Sequence, residues 1–472
     1  MPRSFAPVKT LSDSFARNNI LHTMTDQPIF SALSASGPRT GHPGKGLTGR
    51  LAAPPDKSAS HRAVIFSGQS QGTSRITNLL ESADVLATAR AVAALGAQID
   101  RREDGVWEIT GASWHSPNAP LDLGNSGTGV RLLMGAVARF DLEARFVGDE
   151  SLSSRPMARV LDPLAQMGVR SEAAEKGRLP ASVFGTSKLK PIDYAPPVAS
   201  AQVKSAILLA GLGAEGETIV REARATRAQT EIMGPLYGAD MSVEPDGAGQ
   251  IARVRGGKTL HACDVTIPGD PSSAAFAIAA ALITPDSEIT IEGVMTNPAR
   301  FGLYETLQDM GAELTLTAAG TRCGEPLVDI TARTSTLKGV TVPAERAPSM
   351  IDEYPILSVI AAFAEGETLM LGLDELRAKE SDRLAASAAM LKANRVPHHV
   401  QGDTLRVEGA GLGGVHGAGT VKTHHDHRLA MSGLVMGLAA QNGVQVDDIA
   451  MIATSYPSFF ADFEELGTEI TS

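Results

Sequence analysis

One signal recurs through the chain and limits its fold more than any other: a helical apolar pattern that ends in glycine and runs at once into a short strand-like segment. It reads ALGAQI around Gly96, QMGVRS around Gly168, LYGADM around Gly238, DMGAEL around Gly311 and ELGTEI around Gly467, with KANRVP around Asn394 as a variant. Glycine just past a helix end takes the left-handed conformation that closes the helix, and asparagine is its usual substitute. The signals lie about 70 to 83 residues apart and mark six units, each long enough for a βαβ plus further strands. Six units predict two domains of three, rather than a solenoid of short repeats.

A second duplication supports the halving. APPDKSASHRAVIFSG from Ala53 resembles IPGDPSSAAFAIAAAL from Ile267, each a tight turn, a Ser-rich helix start and an apolar helix. Such a helix start caps free N–H groups and favours an anion. With a net charge of −11, the chain must gather its Lys and Arg locally to bind anions, and with only 4% aromatics it has neither the field nor the stacking surface for a nucleic-acid partner.

The stretch DELRAKESDRLA from Asp374 to Ala385 carries seven charged side chains in twelve residues. Read as one helix, Glu375/Lys379 and Lys379/Arg383 have the spacing of surface charge pairs, while Arg377, Glu380 and Arg383 recur along one side. HHDHR from His424 to Arg428 is the most metal-like cluster. Its adjacent side chains diverge on a helix or strand, so a polar helix start explains it better than a metal centre. GAGLGG from Gly409 matches a dinucleotide fingerprint in letters only, because no amphipathic helix follows.

Cys263 and Cys323 lack metal-ligand or disulfide-framework spacing, which points to a reducing cytoplasm. The strongest apolar run, Ala274 to Ile283, is far shorter than the ~20 residues of a membrane span. Residues 1–44 read as a disordered leader, with Met24 a second possible start and an organelle transit peptide a minor alternative.

Seven motifs in order carry a resemblance: PPDKSASHR from Pro54, LGNSGTGVRLL from Leu123, RPMARVLDPL from Arg155, SAQVKSAILLAG from Ser200, APSMIDEYP from Ala347, AKESDRL from Ala378 and HDHRLAMS from His425. They resemble the 5-enolpyruvylshikimate-3-phosphate synthases (3-phosphoshikimate 1-carboxyvinyltransferases), in wording closer to the class II branch, from about Gly46 to the end. The resemblance implies an α/β, two-domain enolpyruvyl transferase fold, an inside-out α/β barrel of six βαβαββ units with the active site in the interdomain cleft. The first domain is then residues 58–267, and the second 45–57 plus 268–472.

The reaction implied moves the enolpyruvyl group of phosphoenolpyruvate to the 5-hydroxyl of shikimate 3-phosphate in chorismate and aromatic amino acid biosynthesis. It implies no cofactor or metal, a cytoplasmic monomer without nucleic-acid or membrane partners, and a target of glyphosate. Carried over by motif, Lys57, Ser58, Arg62, Ser200, Ala201, Gln202, Arg227, Asp352 and Lys379 would hold shikimate 3-phosphate. Lys57, Gly127, Arg155, Gln202, Arg383 and Arg428 would hold phosphoenolpyruvate. Asp352 would accept the hydroxyl proton, and Glu380, with Lys57, would serve proton transfer at the methylene carbon.

Three positions depart from the family pattern: Pro55 replaces a usual glycine, RAQTE at Arg227 lacks a usual histidine, and Ala299 replaces a usual threonine. The sister transferase acting on UDP-N-acetylglucosamine typically has Lys-Asn at Lys57-Ser58 and a cysteine in a first-domain loop, whereas here no cysteine precedes Cys263. A non-catalytic repeat scaffold would account for the glycine signals but not for the charged motifs.

Overall fold

The computed structural model describes residues 35–472. Six separate four-stranded sheets alternate with helices, and each sheet has the same order. The unit from Leu121 shows it: strand Leu121–Asp122, helix Gly127–Val137, strand Glu143–Val147, helix Ala158–Gln166, then the hairpin Arg170–Ala174 and Arg178–Phe184. The short first strand pairs parallel with the second, and the last strand inserts antiparallel between the second and third. This is the βαβαββ unit, six times over. Among the described residues no strand pairing closes the six sheets into a continuous barrel.

Three sheets borrow a strand from far along the chain. Thr48–Ala52 lies parallel to Glu288–Met295, Val265–Thr266 lies parallel to Thr73–Thr77, and Arg39–His42 sits between Val444–Val446 and Glu469–Thr471. The leader expected over 1–44 lies mostly outside the described residues, but its boundary is corrected here. Arg39–His42 is a paired strand, and a Cβ on Gly41 would lie 2.3 Å from the Leu434 carbonyl oxygen, so this segment is packed into the fold.

Buried apolar side chains form two clusters. One runs from Ala59 to Ile267; the other takes Leu47, Leu51 and Ala53 and then Ala274 to Leu466. The helix Pro271–Ile283 is buried along its whole length, as its uniformly apolar sequence requires. Small residues set the helix spacing: a Cβ at Gly135 would stand 2.2 Å from the carbonyl oxygen of Ala206, so only glycine lets helices Gly127–Val137 and Ala201–Gly211 approach this closely.

Five of the six expected helix-ending residues, Gly96, Gly168, Gly238, Gly311 and Gly467, have positive φ. The sixth differs. Asn394 stays at φ −100 and ties the helix end, donating to Met390 O and accepting from Gly419 N, and Arg395 takes the left-handed conformation at φ 61. Among the described residues, no helix is long and apolar enough to cross a membrane.

Candidate active site

Five helix starts, drawn from both cores, carry expected residues. Lys57 and Ser58 open the helix Lys57–Gln69, which Asp56 caps through Ala59 N at 2.6 Å. Gly127 opens a helix capped by Ser126, and Ala201 opens one capped by Ser200. Asp352 and Glu353 immediately precede helix Tyr354–Ala362, and Arg428 lies in the first turn of helix His427–Ala439. Unpaired N–H groups and the positive helix ends favour anions at such a place.

Around the first core, side chains are held by one another. Lys57 Nζ pairs with Asp84 at 2.5 Å. Arg131 donates to Gly127 O at 3.1 Å and to Gln202 Oε1 at 2.9 Å, while Gln202 Nε2 donates to Thr128 Oγ1 at 2.9 Å, which locks the Gln202 amide. Arg155 donates to Asn125 Oδ1 and Ser151 Oγ. Arg62 is buried, and donates to Thr230 Oγ1, Ser58 O and Ser205 Oγ. Two of its N–H donors remain beyond those three bonds.

The second core supplies the opposing face. Arg383, 1% exposed, contacts Asp426 at 2.8 Å, Glu380 at 2.6 Å and Asp352 at 3.1 Å. Arg428 lies 3.6 Å from Glu353, and Lys379 lies 4.0 Å from Glu375. Arg227, from the first core, reaches Asp352 Oδ2 at 2.6 Å and joins the two faces. The cations of the two faces are interleaved with carboxylates, which offset their mutual repulsion.

Adjacent carboxyls are driven apart. Burial works to raise both, but at Asp352 the charges of Arg227, Arg428, Lys379 and Arg383 win and hold it well below the ordinary carboxylate range. At Glu353 burial wins over Arg428 and the carboxyl is raised, with Asp352 itself adding to the rise. Glu380 behaves like Asp352: burial opposes ionisation, and Arg383 with neighbouring positive charge overcomes it.

DELRAKESDRLA is not one helix. Asp374–Ala378 is a 3-10 turn, the chain is extended at Lys379, and a new helix starts at Arg383 with Asp382 as its cap. Arg377 accordingly leaves the row with Glu380 and Arg383 and pairs with Asp403 on the surface. In HHDHR, His424 and His425 are exposed with positive φ, Asp426 caps the helix through Arg428 N, and His427 is buried, so the imidazoles do not converge.

The sequence reading missed Asp84, Arg131, Glu353 and Asp426 as site residues. Arg131 was legible, one helical turn from Gly127 within a quoted motif. Asp426 was read only as a helix-start group, and Asp84 had no local signal, because its partner Lys57 lies in a different helix.

Two faces of Arg and Lys interleaved with buried carboxylates define an enzyme class suited to small polyanionic substrates and proton transfer between them. The comparisons with known proteins narrow it. The family model described as EPSP synthase (3-phosphoshikimate 1-carboxyvinyltransferase) matches residues 42–463. A 3-phosphoshikimate 1-carboxyvinyltransferase of Maricaulis maris is 57% identical over 92% of this chain and 97% of its own length. One of Hyphomonas neptunium is 53% identical over 92% and 99%. Among solved structures, an EPSP synthase from Acinetobacter baumannii superposes with TM-score 0.82 at 39% identity, covering 92% of this chain and 100% of that one. The enolpyruvyl transferase NikO from Streptomyces tendae, at 21% identity and TM-score 0.73, shares the fold. The chain belongs to the EPSP synthase family and is a transferase.

Proposed function

We propose that the chain transfers the enolpyruvyl group of phosphoenolpyruvate to the 5-hydroxyl of shikimate 3-phosphate, releasing phosphate, in a cleft between two domains that meet at the turns beside Lys57 and Pro268. The observation that carries this reading is Asp352, a carboxylate gripped by Arg227 from one core and Arg383 from the other at the place where the family motif puts the base. Shikimate 3-phosphate lies against Lys57, Ser58, Arg62, Ser200, Ala201, Gln202, Arg227 and Lys379. Phosphoenolpyruvate lies among Lys57, Gly127, Arg155, Gln202, Arg383 and Arg428.

The electrostatics give the chemistry an order. Without substrate, Asp352 and Glu380 are held ionised and are weak bases. Substrate phosphate and carboxylate groups compete for the same cations, and each cation they neutralise raises the basicity of the carboxylates left behind. Asp352 then takes the 5-hydroxyl proton as the hydroxyl oxygen attacks C2 of phosphoenolpyruvate and C3 is protonated. The proton for C3 comes from Glu380, which takes one up once the substrates neutralise its cations, aided by Lys57. Glu380 then removes a proton from C3 as the C–O bond to phosphate breaks and phosphate leaves. The protein works in the cytoplasm as a monomer.

Phosphate release by purified protein, with chelator present, tests the reading. Release is expected with phosphoenolpyruvate plus shikimate 3-phosphate and not with UDP-N-acetylglucosamine. Asp352→Ala should lower kcat by ~100-fold or more while changing substrate affinity much less. Silence with shikimate 3-phosphate, or unchanged turnover in the variant, contradicts it.

A further inference from the structure

Arg300 lies outside every motif that carries the proposed reaction, yet it is 3% exposed and holds the two chain crossings together. Its Nη1 donates to Asp56 Oδ2 at 2.9 Å, and its Nη2 donates to Asp270 Oδ1 at 2.6 Å and Ser272 Oγ at 2.9 Å. Asp56 is the cap of the helix that begins with Lys57, and Asp270 is the cap of helix Pro271–Ile283. One guanidinium therefore grips the caps of two helices that belong to different cores.

The crossings are also paired through their backbones. Asp56 N donates to Pro268 O at 2.8 Å, and Asp270 N donates to Pro54 O at 2.7 Å. Gly269 has no room for a side chain, since a Cβ would lie 2.4 Å from Ala53 Cβ and 2.5 Å from Gly293 O. On its far side, Arg300 ends a turn that Asn297 caps, and Asn297 is held by Glu325. Gln229, two residues from Arg227, donates to the Asp56 carboxylate at 3.1 Å. The cluster thus touches the base of Lys57 and the loop of Arg227.

We infer that Arg300 is a positioning residue that couples the two chain crossings and sets Lys57 in register with the second core. A planar fork with parallel donors can bridge two carboxylates, whereas an ammonium is a single point of charge. Misplacing a reacting group by about 1 Å costs on the order of 100-fold in rate, so a residue that never meets substrate can control turnover. The inference rests on the proposed reaction.

Arg300→Met and Arg300→Lys test it, assayed well below their melting temperatures after wild-type turnover is established. Arg300→Met should lower kcat by ~10-fold or more and raise the KM for phosphoenolpyruvate, which depends on Lys57 being in register with Arg383 and Arg428 of the second core. The KM for shikimate 3-phosphate, which takes one cation, Lys379, from that core, should rise by less and move less than ~3-fold. Arg300→Lys should recover part of kcat. A purely structural role would lower the melting temperature and leave kcat per folded molecule unchanged, which overturns the inference. Should Arg300→Met fail to fold, Asp270→Asn decides. Asparagine keeps the cap but weakens the grip, so kcat should fall in the same pattern, and unchanged kinetics overturn the proposal. A wild-type protein inactive with shikimate 3-phosphate would instead sink the reading of the reaction itself.

Discussion

Asp352 and Glu353 are neighbours in sequence whose carboxyls move in opposite directions on folding. The depressed one, Asp352, stabilises the fold at pH above its unfolded value of about 3.9, and this contribution is lost as pH falls through its lower folded value. Wild-type protein should therefore lose more thermal stability between pH ~5 and ~2 than Asp352→Asn does; parallel melting curves would contradict the assignment. Gly127 makes a second residue-scale prediction. A Cβ there would stand 3.0 Å from guanidinium nitrogens of both Arg131 and Arg155. Gly127→Ala should raise the KM for phosphoenolpyruvate by ~10-fold while kcat changes less, as steady-state kinetics would show. The type of each of these residues was legible in its motif. The carboxyl shifts were not, because the burial that raises Glu353, and the charges of Arg227, Arg428, Lys379 and Arg383 that overcome burial at Asp352, exist only in the folded chain.

At the scale of elements, glycine signals located five helix ends correctly, because a left-handed position after a helix is a local demand that the sequence must meet locally. KANRVP failed by one residue, since the Asn394 side chain is used to tie Gly419. DELRAKESDRLA failed more fully. Charge spacing suggested one helix, but Asp382 acts as a cap and divides the stretch, which places Lys379 and Glu380 in the irregular segment before Arg383. The helix Ala201–Gly211 carries a buried charge that sequence reading passed over: Lys204, fully buried, pairs at 2.9 Å with both Glu222 and Glu231. Glu222 in turn accepts from Thr226 Oγ1 and Gln250, bracing the loop that bears Arg227. Lys204→Met would strand two buried carboxylates and should cost ~3–5 kcal/mol of stability in urea unfolding; a loss under ~1 kcal/mol would contradict the pairing.

For the whole molecule, the count of six units survives in the six sheets, and the duplicated turns at Pro54 and Pro268 fall where the buried side chains change from one cluster to the other. Strand borrowing was illegible. That Arg39–His42 completes a sheet with the last 30 or so residues depends on pairing across nearly the full chain, which no local pattern records. The arrangement brings Arg227 from the first core and Arg383 from the second onto one half-buried carboxylate, Asp352, and the central claim is that this joins phosphoenolpyruvate to shikimate 3-phosphate. Proton NMR of the reaction mixture tests it most directly. The account predicts new vinyl signals of an enol ether on the shikimate 5-oxygen, appearing as inorganic phosphate accumulates. Loss of phosphoenolpyruvate without that ether, or an ether formed on UDP-N-acetylglucosamine instead, would contradict it.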